Sequence, residues 1–108
     1  NSIEDMNNQT KEWLLNQRRQ PEFLETEDSP IWSRKFAFDM GNQSELDQIL
    51  KHTKSKKIFV GHTVVDNIQS KYEGKFWLTD VGISSTFPGD QIQIIEIDLN
   101  LGIFNILK

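Results

Sequence analysis

The stretch "KKIFVGHTVVDNI", Lys56 to Ile68, decides how this chain is read. A short apolar run, Ile58-Phe59-Val60, enters Gly61-His62-Thr63 and then turns polar. Such a run bounded by turn residues is the pattern of a buried strand, expected over Lys57–Val60. The imidazole of His62 then falls at the carboxyl end of that strand, where open α/β sheets place ligands and catalytic groups. A neutral histidine there can ligate zinc, iron or manganese through one ring nitrogen while the other is fixed by a neighbouring acceptor. Gly61 leaves room for a close approach. The competing reading is a structural or simply exposed histidine.

Working upstream, "SELDQILKHT" (Ser44 to Thr53) carries Leu46, Ile49 and Leu50 on one face and predicts a short helix with Ser44 as its cap. The basic run "KHTKSKK" (Lys51 to Lys57) reads as its solvated end, where lysines suit the negative pole of the helix dipole; His52 is given no role. "IWSRKFAF" (Ile31 to Phe38), bounded by Pro30 and Gly41, predicts a short extended segment, and "QPEFLETEDSP" before it an exposed connection. From Ser2 to about Arg19, Ile3, Met6, Trp13 and Leu14 recur near the helical period. Ser2 is the expected cap, with acids in the first turn and basics in the last.

Downstream the pattern is β. Strands are expected over Asn67–Tyr72, Phe76–Val81 and Gln91–Leu99 and in "GIFNILK", with a turn at "EGK", a loop at "SSTFPGD" and a hairpin closed by "NLG". One sheet should hold the first three of these and Lys57–Val60, with the Ser44–Thr53 helix packed on it. Asp66 and Asp98 read as surface acids, since neither has a partner at the spacing of paired carboxylates. "GISSTFPG" is no phosphate loop, because it lacks the Walker pattern and a following helix start.

Composition narrows the classes. A chain of 108 residues supports one small core; its 36% hydrophobic content is supplemented by three Trp and seven Phe, each able to bury roughly 150–250 Å². A net charge of −4 argues against a nucleic-acid surface. Without cysteine there is no disulfide, thiolate zinc site or cysteine nucleophile. No run approaches the roughly 20 apolar residues of a membrane span, and no signal-peptide pattern is visible, so a cytoplasmic location is favoured. The opening at Asn1 reads as part of something longer.

"IFVGHTVVDNIQSKYEGKFWLTDVGISSTFPGDQIQIIEID" resembles the closing segment of the calcineurin-like metallophosphoesterases. In that family a buried strand ends in Gly-His-Thr, a hairpin with a "dGk" turn follows, and an Asp-x-Gly strand end and a last strand complete the sheet. "SIEDMN" resembles the segment after the family's His-Gly-Gly metal motif, and "SPIWSRKF" the Pro-x-Trp-x-Arg stretch of its Shewanella-like phosphatase branch. The resemblance touches nearly the whole chain. It implies an α/β (α+β) fold, the carboxyl-terminal portion of a β-sandwich with flanking helices, as a single fragment that is helical or irregular over 1–55 and β-rich over 56–108.

It also implies a function: hydrolysis of phosphate esters by a hydroxide activated at two divalent metal ions, of manganese, iron or zinc. His62 would be a metal ligand, Arg34 a phosphate clamp or else a salt-bridging surface arginine, Trp32 a wall of the cleft or a core residue, and Asp80 a neighbouring acceptor or turn former. Val64 follows Thr63, so the His-x-His version of the motif is absent, which favours the phosphatase branch. The family's Asp-x-His, Gly-Asp-x-x-Asp-Arg and Gly-Asn-His-Glu motifs do not occur. The chain alone is therefore expected to be inactive and free of metal. Its expected partners are a phosphorylated substrate and the missing amino-terminal half, or a second copy covering exposed strand faces. The alternative is a non-catalytic α/β binding or interaction domain with a structural His62.

Overall fold

The structure, a computed structural model, describes residues 2–16, 19–31, 33–83 and 92–108. Helices and short strands are mixed, an α+β chain, and it divides into two compact units, Asn1–Ser55 and Lys56–Lys108.

The first unit holds α1 (Ile3–Asn16), α2 (Glu22–Glu25) and α3 (Gln43–Thr53). Ser2 starts α1, its Oγ accepting the Asp5 N–H at 3.0 Å. No residue of α1 is buried, and Leu14 is 65% exposed. In α3, by contrast, Leu46 and Leu50 are buried. The cap of α3 is Asn42 and not Ser44: Asn42 Oδ1 accepts the Glu45 N–H at 2.9 Å while Glu45 Oε2 accepts the Asn42 N–H at 3.1 Å. This reciprocal pair satisfies two orphan donors at once, which a cap at Ser44 would forgo. At the other end Lys54 adopts a left-handed conformation, φ 54°, and its N–H meets the carbonyls of Leu50 and Lys51.

Two further expectations for this unit are corrected. The connection from Gln20 to Pro30 contains α2 and buries Leu24 and Ser29, so it is not wholly exposed. In the Ile31–Phe38 segment the described residues 33–38 are coiled instead of extended: Ser33 N–H bonds the Ser29 carbonyl, Phe38 N–H the Arg34 carbonyl and Met40 N–H the Lys35 carbonyl. Local backbone bonds win because the coil buries Ala37 and closes at Gly41, where a Cβ would stand 2.5 Å from the Phe36 ring. Trp32 itself lies outside the described residues, as do the loop over 84–90 and Gln91.

The second unit holds β1 (Ile58–Val60), β2 (Gln69–Lys71), β3 (Phe76–Leu78), β4 (Ile94–Asp98) and β5 (Ile103–Leu107). The expected single sheet is in fact two. One has the order β1-β3-β2, with β1 parallel and β2 antiparallel to β3; the other is the hairpin β4-β5. The hairpin pairs with none of these three strands and instead packs against the sheet. Phe59 and Trp77 are register partners on one side of the sheet, and Phe104 of β5 stacks on both at centroid distances of 6.2 and 5.8 Å. Phe76 and Leu78, on the opposite side of β3, are buried, as are Ile68 and Val81. The strand β1 is only half-buried, with Phe59 39% exposed, less enclosed than its composition suggests.

The turns follow the residues. Between β2 and β3, Tyr72, Glu73 and Gly74 all have positive φ, and the Gly74 carbonyl accepts from Lys57 Nζ at 2.7 Å and Trp77 Nε1 at 3.0 Å. Asp98, read as a surface acid, closes the β4-β5 hairpin by accepting the N–H groups of Asn100 and Leu101. On the hairpin Ile94, Ile103 and Leu107 remain exposed, with Leu99 and Leu101 at its tip.

Candidate functional site

Because β1 and β3 are parallel neighbours, their carboxyl ends lie side by side, and this places Gly61-His62-Thr63 next to Thr79-Asp80-Val81-Gly82. The two stretches are laced together. The Val60 carbonyl accepts the Thr79 N–H at 3.0 Å and its hydroxyl at 2.9 Å. Asp80 then takes over. Its Oδ2 accepts the His62 N–H at 3.1 Å, its Oδ1 the Gly82 N–H at 2.9 Å, and its carbonyl the Val65 N–H at 2.9 Å. The Asp80 carboxylate thus serves backbone donors on both loops.

His62 has φ 65°, and Thr63 N–H bonds the Gly61 carbonyl across it at 2.8 Å. A bond between residues two apart over a central residue of positive φ is the rare, strained form of γ-turn. For a histidine, the left-handed region costs roughly 1–2 kcal/mol. His62 is exposed. A Cβ built on Gly61 would meet nothing within 4 Å, so this glycine is required neither by packing nor by its φ and leaves the approach to the loop open. Beside the loop lies a cleft of about 430 Å³ lined by Val64, Val65, Asp66, Asn67 and Gln69. Asn67 and the adjoining Ile68 are held by Gln93, whose Oε1 accepts the Ile68 N–H and whose Nε2 donates to Asn67 Oδ1, each at 2.9 Å.

The described residues do not by themselves fit a metal pair, since among them no group of three or more His, Asp or Glu side chains stands close enough to hold an ion. His62 offers one imidazole, and both oxygens of Asp80, which holds the His62 N–H, already accept backbone N–H groups. Arg34 belongs to the first unit, half-buried, with its guanidinium carbon 5.9 Å from the centre of the Phe38 ring.

His52, given no role by the sequence, lines a cleft of about 500 Å³ in the first unit with Asp28, Ser33, Lys35, Glu45 and Gln48. There Lys35 Nζ meets Glu45 Oε1 at 3.0 Å. This bond, and then the Asn42 N–H, hold the Glu45 carboxyl below its ordinary pKa. The i, i+3 and i, i+4 spacing of Glu45, Gln48 and His52 on one helix was the available signal.

No helix among the described residues is long and apolar enough to cross a membrane. Comparison of the chain with family models, with curated proteins and with solved structures finds no match. The class that can be stated is therefore that of an α+β chain whose parallel strand pair ends in a histidine γ-turn held by an aspartate.

Proposed function

We propose that this chain is the carboxyl-terminal part of a calcineurin-like metallophosphoesterase, and that the whole protein is a phosphatase hydrolysing phosphate esters with divalent metal ions. The reading is supported by the meeting of Gly61-His62-Thr63 with the Asp80 turn at one end of a parallel strand pair, since a strand-end imidazole on an exposed loop is a suitable metal ligand. His62 supplies one ligand in this proposal and the remaining ligands lie outside the chain. Arg34 is assigned to phosphate binding on the strength of the Trp-x-Arg resemblance, guanidinium being matched to phosphate oxygens. The partner in this reading is the upstream half of the same protein, and the apolar side chains exposed on β4 and β5 suit such a contact.

The test is made in the longer polypeptide carrying the upstream ligands. His62→Ala should lower metal content and cut phosphatase turnover at least about tenfold, as loss of a ligand displaces the ion. Arg34→Ala should raise KM for a phosphate ester and leave metal content unchanged. Full metal occupancy and turnover in the His62→Ala protein would return His62 to a structural role and leave a non-catalytic interaction domain as the reading.

A further inference from the structure

A strained γ-turn does not persist without surroundings that over-determine it. In the loop after β1 the residue carrying the strain is His62, across which the Thr63 N–H bonds the Gly61 carbonyl. The further restraint comes from Asp80, 18 residues away, through one carboxylate that grips His62 N–H and Gly82 N–H on its two oxygens and one carbonyl that grips Val65 N–H. Hydrogen bonds from backbone donors to an ionised carboxylate are shorter and stronger than neutral ones, so this acid is well suited to hold a costly backbone conformation. It is placed there by β3, whose Leu78 is buried and pairs with Val60.

We propose that Asp80 is the positioning residue for His62: by holding the His62 N–H it keeps the γ-turn in place, and the turn in turn sets the direction in which the imidazole leaves the loop. The functional consequence rests on the reading of His62 as a metal ligand; the conformational claim does not. Asp80 touches neither metal nor substrate in this assignment, and it acts entirely through the backbone of the residue it presents.

The experiment compares Asp80→Ala, Asp80→Asn and the double variant His62→Gly/Asp80→Ala in this chain by NMR. A positive φ brings the amide and α protons of one residue close together, so wild-type His62 should show a strong NOE between them. In Asp80→Ala that NOE should weaken, and the His62 and Gly82 amides should exchange about tenfold faster. Asp80→Asn retains one acceptor oxygen of nearly the same size and should lose protection at one of the two amides only. Glycine at position 62 needs no clamp, so the double variant should lose less stability from the Asp80 change than the single variant does. In the longer polypeptide, Asp80→Ala should weaken metal binding about 10–100-fold, an effect that a general loss of stability would not confine to the metal. An unchanged NOE at His62 in Asp80→Ala and Asp80→Asn overturns the clamp. A lost NOE with unchanged metal affinity overturns the metal-ligand reading of His62, and with it the functional part of the proposal.

Discussion

Lys54 after α3 and His62 after β1 both take the left-handed conformation without being glycine, and they do so for different reasons. At Lys54 the conformation satisfies the helix: its N–H and that of Ser55 turn back to the carbonyls of Leu50 and Lys51, which would otherwise lack partners. Everything needed lies within five residues. At His62 the local bond is a single strained turn and the restraint comes from a carboxylate 18 residues on. A left-handed residue at a helix end is explained by the helix. One held from a neighbouring strand presents its own side chain at a chosen place, and the side chain is the imidazole.

The largest test removes the support under each. Leu50 and Leu78 are 6% and 2% exposed, and Leu→Ala at either should cost about 2–5 kcal/mol in urea unfolding. The comparison predicts a local difference beyond that shared loss. Leu78→Ala should weaken the His62 amide-to-α-proton NOE through β3 and Asp80, whereas Leu50→Ala should leave it intact.

A smaller effect concerns the strain itself. Lys54→Gly should stabilise by roughly 0.5–1 kcal/mol, because glycine enters the left-handed region without the side-chain penalty. His62→Gly should stabilise by about the same amount, measured as the same shift in urea midpoint, if only the backbone of His62 matters to folding. A net loss at His62 would show that packing of the imidazole outweighs the strain, and would break the contrast with Lys54.

The smallest effect is that of pH at the start of α3. The Glu45 carboxyl is held below its ordinary pKa by Lys35 and the Asn42 N–H, so its contribution is present above pH 4.5 and disappears as the pH falls through the lowered value. The pair is well exposed, at 41% and 42%, and screening keeps the effect small. Glu45→Gln can keep the capping geometry while losing the charge. Its stability should fall less than that of the wild type between pH 6 and pH 3, as judged by the urea midpoint.

Much of this was legible in the chain before folding was considered. Ser2 caps α1 because a hydroxyl precedes the helical pattern, and "EGK" and "NLG" turn because glycine admits positive φ, as at Gly74 and Gly102. Asn42 was legible too, since Asn-x-x-Glu is the reciprocal capping pattern, but Ser44 competed for the same helix start. The coil over 33–38 was not, because a short stretch bounded by Pro30 and Gly41 resembles a strand until Ala37 and Gly41 show which backbone closure buries the segment.

By itself the sequence determined α1 with its Ser2 cap, the existence of α3, the β elements with their glycine turns, and the strand end on which His62 sits, since these depend on neighbours a few residues apart. Tertiary structure decided the rest. That β4 and β5 face the first sheet instead of extending it is decided by packing between residues far apart in the chain, where Phe104 stacks on Phe59 and Trp77. Whether a histidine after a strand hangs freely or is fixed depends on what the next parallel strand brings beside it. Here that is Asp80, and no spacing along the chain announces a hydrogen bond between residues 62 and 80.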